Sequence, residues 1–170
     1  MNLYLLRHGI AVDPSASGKD AERPLTPRGR RRLSQIAGAL RALRISFDLI
    51  LASPYVRAQQ TAAIVARSLK LRKKLELFEA LTPGGNPQAL IQHLNGLRPK
   101  PKNILLVGHE PYLSKLVALL ASGNTNMEMD FKKGGLCKLE VETLRCGRCA
   151  TLVWLLAPRQ MALMVKRPAR

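Results

Sequence analysis

Three short polar groups in this chain carry side chains able to do chemistry on an anion. They are Arg7-His8-Gly9, Ser53-Pro54 with Arg57 a turn later, and Gly108-His109-Glu110-Pro111. A neutral imidazole is a nucleophile that can take a phosphoryl group. Guanidinium groups match phosphate oxygens with paired donors. A second imidazole, when protonated, adds a donor to the charge that spreads over the oxygens during transfer. Gly9 is expected to let the backbone approach the anion closely. His8, Arg7, Arg57 and His109 are the catalytic candidates; Arg7, Gly9, Ser53, Arg57 and His109 are the substrate-binding ones. No Cys, Asp or further His completes a metal site beside them, so the chemistry is expected to need neither metal nor cofactor. Each group has an ordinary alternative: His8 as a strand-end residue, Arg57 as a surface helix arginine, His109 as a strand cap. Their joint placement after separate strands favours the functional reading.

The elements that must position these residues are legible in the apolar pattern. Leu3–Leu6, Leu49–Ala52 and Ile104–Val107 are compact apolar runs, as buried strands should be. Thr26 and Pro27 read as N-cap and first residue of a helix whose stripe is Leu33, Ile36, Ala37, Leu40 and Leu43. Thr61, Ala62, Val65, Ala66 and Leu69 mark a second helix. Leu75–Phe78 is expected to be a short edge strand. Pro87 opens a helix carrying Leu90, Ile91, Leu94 and Leu97, and Leu113, Leu116, Val117 and Leu120 mark another. Leu136–Val141 and Thr151–Leu156 read as two strands around a loop, and Met161–Val165 as a short terminal helix or strand. Strand–helix alternation followed by a late hairpin predicts an α/β domain, with a mostly parallel sheet and an antiparallel edge. In open α/β sheets ligands bind at the carboxyl ends of the strands. If the three strands are parallel, all three polar groups converge there, and helices starting near Pro54 and Pro111 aim free N–H groups at the same place.

Composition bounds the rest. The 170 residues suit one domain spanning 1–170, and 46% hydrophobic content suits a globular core. No apolar run is long enough for a membrane span. The N-terminus does not read as a signal peptide, and three Cys are too few for a disulfide framework, so a cytoplasmic location is expected. Lys and Arg number 28 against 11 Asp and Glu, a net charge of +17. Between Pro27 and Lys74 twelve cations face one acid, Asp48. Such a surplus draws anions such as nucleic acid, acidic proteins or phosphate esters, or is simply a solvated basic face.

Leu6-Arg7-His8-Gly9, followed by Arg23-Pro24-Leu25-Thr26, resembles the first motif of the histidine phosphatase superfamily. Ser53-Pro54-Tyr55-Val56-Arg57 through Ala62, Glu79-Ala80-Leu81-Thr82-Pro83, and Val107-Gly108-His109-Glu110-Pro111 resemble its later motifs. The nearest likeness is to the short SixA-type phosphohistidine phosphatases. The resemblance implies a phosphoglycerate mutase-like three-layer α/β/α sandwich. It implies that His8 becomes phosphorylated, that Arg7, Arg57 and His109 clamp the phosphoryl oxygens, and that water then hydrolyses phospho-His8. Glu79 is a candidate general acid, or else a loop carboxylate paired with a basic neighbour. The expected substrate is phosphohistidine in a protein, with phosphate or sulfate able to occupy the pocket. The short stretch from Glu79 to Asn103 leaves little for a lid, and the basic face would steer an acidic protein partner. The alternatives are a small-molecule phosphomonoesterase or mutase and, less favoured, an inactive basic nucleic-acid-binding protein.

Other features carry less. Cys146-Gly147-Arg148-Cys149 is a C-x-x-C in a hairpin-like turn, and even with Cys137 it lacks the ligands of a zinc site, so it reads as adventitious or structural thiols. His93 is placed on the polar face of its helix, Asp13 in a loop, Trp154 in the core, and Lys132-Lys133-Gly134-Gly135 in a solvated turn.

Overall fold

The computed structural model describes residues 1–16 and 18–165. The chain runs β1 (Asn2–Arg7), α1 (Pro27–Ala42), β2 (Leu49–Ala52), α2 (Val56–Ser68), β3 (Leu75–Leu77), α3 (Pro87–Gly96), β4 (Asn103–Gly108), α4 (Tyr112–Ser122), β5 (Leu136–Val141), β6 (Ala150–Leu156) and α5 (Pro158–Val165). The sheet order is β3-β2-β4-β1-β5-β6. β3, β2, β4 and β1 are parallel, and β5 and β6 close one side as an antiparallel hairpin. This is the expected mixed sheet, with β3 as a short edge strand and α5 resolving the last segment as a helix.

Continuous apolar runs make strands buried on both faces, and alternation assigns each side chain to one of two cores. Leu3, Leu5, Leu49, Leu51, Ile104 and Leu106 pack with α3 and α4. Tyr4, Leu6, Ile50, Ala52, Leu105 and Val107 pack with α1, α2 and Met161 of α5. Three layers result. The Thr26 hydroxyl accepts from Gly29 N–H at 3.0 Å and Pro27 follows at the first helical position, so α1 starts where the sequence says. Asn86 and Pro87 do the same for α3.

Two expectations fail at the periphery. Trp154 is only half-buried, because β6 is the outer strand; its ring rests on Tyr4 at a centroid distance of 6.0 Å. His93 is not a free surface residue. Phe78, leaving β3, folds back over α3, stacking on the His93 ring at 4.4 Å and burying its Nε2. The C-x-x-C lies in the β5–β6 turn, with Cys146 exposed, while Cys137 is buried within β5. Among the described residues no helix is long and apolar enough to cross a membrane.

Candidate active site

Parallel pairing brings the three polar groups side by side. β1 and β4 run in step, Arg7 opposite Gly108, and β2 follows β4, Ala52 opposite Val107. The ladder continues one residue beyond each strand: His8 N–H donates to Gly108 O at 3.0 Å, and Ser53 N–H to Val107 O at 2.9 Å. His109, leaving the middle strand, therefore sits between Ser53 and His8. His109 Nε2 lies 2.8 Å from Ser53 Oγ, and the two imidazole centroids are 5.0 Å apart. Arg57 enters from the first turn of α2, its Nε–H donating to His8 Nε2 at 3.2 Å. Among the described residues the buried polar and charged side chains are His8, Ser53, Arg57, Thr61 and His109, and they lie together at this edge of the sheet.

Hydrogen bonding sets the state of each ring. His8 Nδ1 is 2.7 Å from Gly9 O, which can only accept, so Nδ1 carries the proton and the Nε2 lone pair faces Arg57. Burial pushes the His8 pKa down to about 3, helped by the nearby His109, Arg57 and Arg7 and opposed by the Gly9 hydrogen bond. His109 is likewise held at about 3 by burial and the two arginines, against the attraction of Asp20. Both rings are therefore neutral at pH 7. Ser53 Oγ accepts from Tyr55 N–H at 3.3 Å and so can donate its own proton to His109 Nε2. That leaves His109 Nδ1 as the N–H, buried without a partner. Arg7 Nε is a second buried donor without one. Unpaired buried donors are costly unless something accepts from them, and a bound oxyanion would.

Asp20 is a site residue the sequence reading missed. It lies on a short helical turn, Asp20–Glu22, in the segment joining His8 to α1. Arg57 Nη1 donates to Asp20 O at 2.5 Å and Nη2 to the carboxylate at 2.9 Å. Arg23 also bonds that carboxylate, at 2.6 Å, and holds Val12 O through Nε. One end of the Arg57 fork is thus tied to Asp20 while its Nε faces His8. The available signal was the rarity of acids: a carboxylate between the nucleophile candidate and a helix must pass over the strand ends.

The loop before β5 was also underrated. Antiparallel pairing sets Leu136 opposite Leu6, so the residues just before it fall opposite Arg7 and His8. Gly134 N–H is shared between Arg7 O and His8 O, both at 3.1 Å, and Arg7 N–H donates to Gly135 O. Arg7 Nη1 donates to Phe131 O at 2.7 Å. Gly134 has φ +79°, which an L side chain tolerates poorly. The backbone of Phe131, Gly134 and Gly135 braces Arg7 and His8, so this loop is not merely a solvated turn. Burial lowers the Arg7 pKa, with Glu110 and Asp130 opposing.

Gly9 and Glu79 stand apart from the side chains above. Gly9 N–H donates to Thr61 Oγ1 at 3.1 Å. Its missing side chain also serves packing: a Cβ there would lie 2.7 Å from Leu33 Cδ1. Glu79 is not joined to the cluster. It is exposed at the start of a short turn after β3, and its carboxylate has no hydrogen bond or ion pair to the other site residues.

Comparison with known proteins bears on the family and the fold. Residues 3–82 match the family model described as histidine phosphatase superfamily (branch 1). The chain is 32% identical to the phosphohistidine phosphatase SixA of Escherichia coli strain K12 over 74% of its own length and 77% of that protein. A solved structure of the protein histidine phosphatase SixA complexed with tungstate superposes with TM-score 0.81 and 28% identity, covering 94% of this chain and 98% of the other. The phosphoglycerate mutase of Bacillus anthracis strain Sterne shares the fold, with TM-score 0.68 at 16% identity over 98% and 97% of the two chains. Fold and likeness together define a phosphatase built on a phosphoglycerate mutase-like α/β/α sandwich. The chain belongs to the histidine phosphatase superfamily, and within it is SixA-like.

Proposed function

We propose that the chain removes phosphoryl groups from phosphohistidine in proteins through a covalent phospho-His8 intermediate. The observation that carries this is the unprotonated His8 Nε2, buried and facing the Arg57 guanidinium, with the His109 ring 5.0 Å away. The Nε2 lone pair attacks phosphorus, and the bond from phosphorus to the substrate nitrogen breaks with its electron pair staying on that nitrogen; the substrate ring, protonated from solvent on its other nitrogen, leaves as neutral imidazole. Water then attacks phospho-His8, the P–Nε2 bond breaks, and phosphate and neutral His8 are restored. Two easier steps replace one difficult one. Arg57, Arg7 and the buried His109 N–H supply donors for the charge on the equatorial oxygens.

The leaving group argues for phosphohistidine. An imidazole departs with far less help from an acid than an alkoxide does, which suits a cluster that Glu79 does not join. Between β3 and β4 the chain forms only the turn at Glu79–Leu81 and the short α3, which suits a phosphoryl group displayed on a protein surface. The test is to incubate labelled phosphohistidine protein with the enzyme, quench, and map acid-labile label. Label on His8 and loss of turnover in His8→Ala are expected. Near-native activity in that variant would end the mechanism. Efficient hydrolysis of sugar phosphates with phosphohistidine proteins left untouched would end the substrate assignment.

A further inference from the structure

Beside the catalytic pocket lies a cleft of about 580 Å3, lined by Arg7, Arg32, Asp130, Lys132, Lys133 and Arg159 among others. Arg7 lines it and is bonded through its backbone to the same Gly134 N–H as His8, so the cleft borders the catalytic cluster. Its cations come from three distant segments: Arg32 from α1, Lys132 and Lys133 from the loop before β5, and Arg159 from α5. The single acid, Asp130, is paired with Lys132 at 2.5 Å. Arg32, Lys133 and Arg159 form no ion pair among the described residues. One phosphoryl group is already served by Arg7, Arg57 and His109, so these three cations are surplus to it.

We propose that this cleft is a subsite for carboxylates of the substrate protein: an acidic segment flanking the phosphohistidine. The proposal rests on the function proposed above and adds its specificity. Charge complementarity at the rim of a site selects partners and speeds encounter. The cleft is concave, and Ile10 and Pro158 give it apolar surface for the short stems of Asp and Glu. No aromatic ring lines it to stack a base, which disfavours a single-stranded nucleic acid. Its loop wall cannot drift from the catalytic centre, because Gly134 N–H is bonded to the Arg7 and His8 carbonyls.

The test uses two phosphohistidine peptides of equal length, one flanked by Asp and Glu and one by Gln, with phosphoramidate as a substrate that carries no flanking segment. The wild type is expected to favour the acidic peptide in kcat/KM by about tenfold or more at low ionic strength, the preference shrinking as salt is added. The R32E/K133E/R159E variant should lose or invert the preference and still hydrolyse phosphoramidate within about twofold of wild type. Should the triple variant fold poorly, K133E and R159E, each at an exposed position, are each expected to cut the preference about threefold. Equal use of the two peptides, a preference unchanged in the variants, or generic duplex DNA competing as well as a free acidic peptide at equal charge would overturn the proposal. Normal phosphoramidate turnover through phospho-His8 with no peptide preference defeats the subsite alone. Absence of that turnover defeats the underlying function.

Discussion

Arg57→Ala is the sharpest single perturbation of the site. Arg57 is 4% exposed, and all three nitrogens of its guanidinium are used: Nε toward His8, Nη1 on the Asp20 carbonyl and Nη2 on the Asp20 carboxylate. Removing a preorganised donor of this kind costs about 2–4 kcal/mol of transition-state stabilisation. At 1.36 kcal/mol per decade, kcat/KM should fall by about 30- to 1000-fold. Folding should suffer less. His8 Nε2 loses its donor, a penalty of about 1–3 kcal/mol, while the half-exposed Asp20 carboxylate returns to water. Arg57→Lys keeps the charge but cannot serve His8 and both Asp20 oxygens at once, so it should recover at most about tenfold of the loss. The assay is single-turnover phosphoenzyme formation from phosphoramidate, with thermal melting run alongside. A variant within about threefold of wild type, or full recovery by lysine, would show that the fork does not engage the phosphoryl group.

Asp20→Ala should lower kcat/KM by about tenfold with little change in Tm, and adding it to Arg57→Ala should cost almost nothing more, because the two act as a unit; additive losses in the cycle would show that Asp20 does not work through Arg57. His8 and His109 should remain neutral well below pH 6.5, their imidazole 15N shifts flat from pH 8 to 5, since both are held at about 3; titration of either ring near 6.5 in anion-free protein would contradict this. The sign for stability follows: between about pH 6.5 and 3 the unfolded chain binds protons that the folded one refuses, so stability falls as pH drops through that window, and His8→Asn should flatten the fall in a denaturant series. Gly134→Ala should destabilise by about 1–2 kcal/mol, since φ there is +79° and the new Cβ would meet Ile36 Cδ1 at 3.0 Å; an unchanged denaturation midpoint would refute the strain.

What could be read from the sequence was whatever depends on local pattern. Thr26-Pro27 marked a helix start because capping is local chemistry. The runs at Leu3, Leu49 and Ile104 marked buried strands because a doubly covered strand has no polar face. Arg7, His8, Ser53, Arg57 and His109 could be gathered because parallel strands align their carboxyl ends. What could not be read was long-range. Asp20 reaches Arg57 across 37 residues, and nothing near Asp20 announces the partner. Lys132-Lys133-Gly134-Gly135 has the composition of a free turn, and only the β1–β5 register presses it against Arg7 and His8. That Gly9 packs under Leu33 could not be read either, because close packing by a distant helix leaves no local signature. His93 looked exposed for the same reason, its cover being Phe78 from another element.

The in-step alignment of β1 with β4 makes turnover a sensor of correct assembly. Side chains alternate across a strand, so a slip of one residue would turn the His8 imidazole to the opposite face and bring Val107, not Gly108, level with Arg7. The two rings would part and the nucleophile would lose its cation. A misaligned chain could still collapse around its leucines, yet it would be chemically silent, so specific activity per folded molecule measures how faithfully the strands have threaded together.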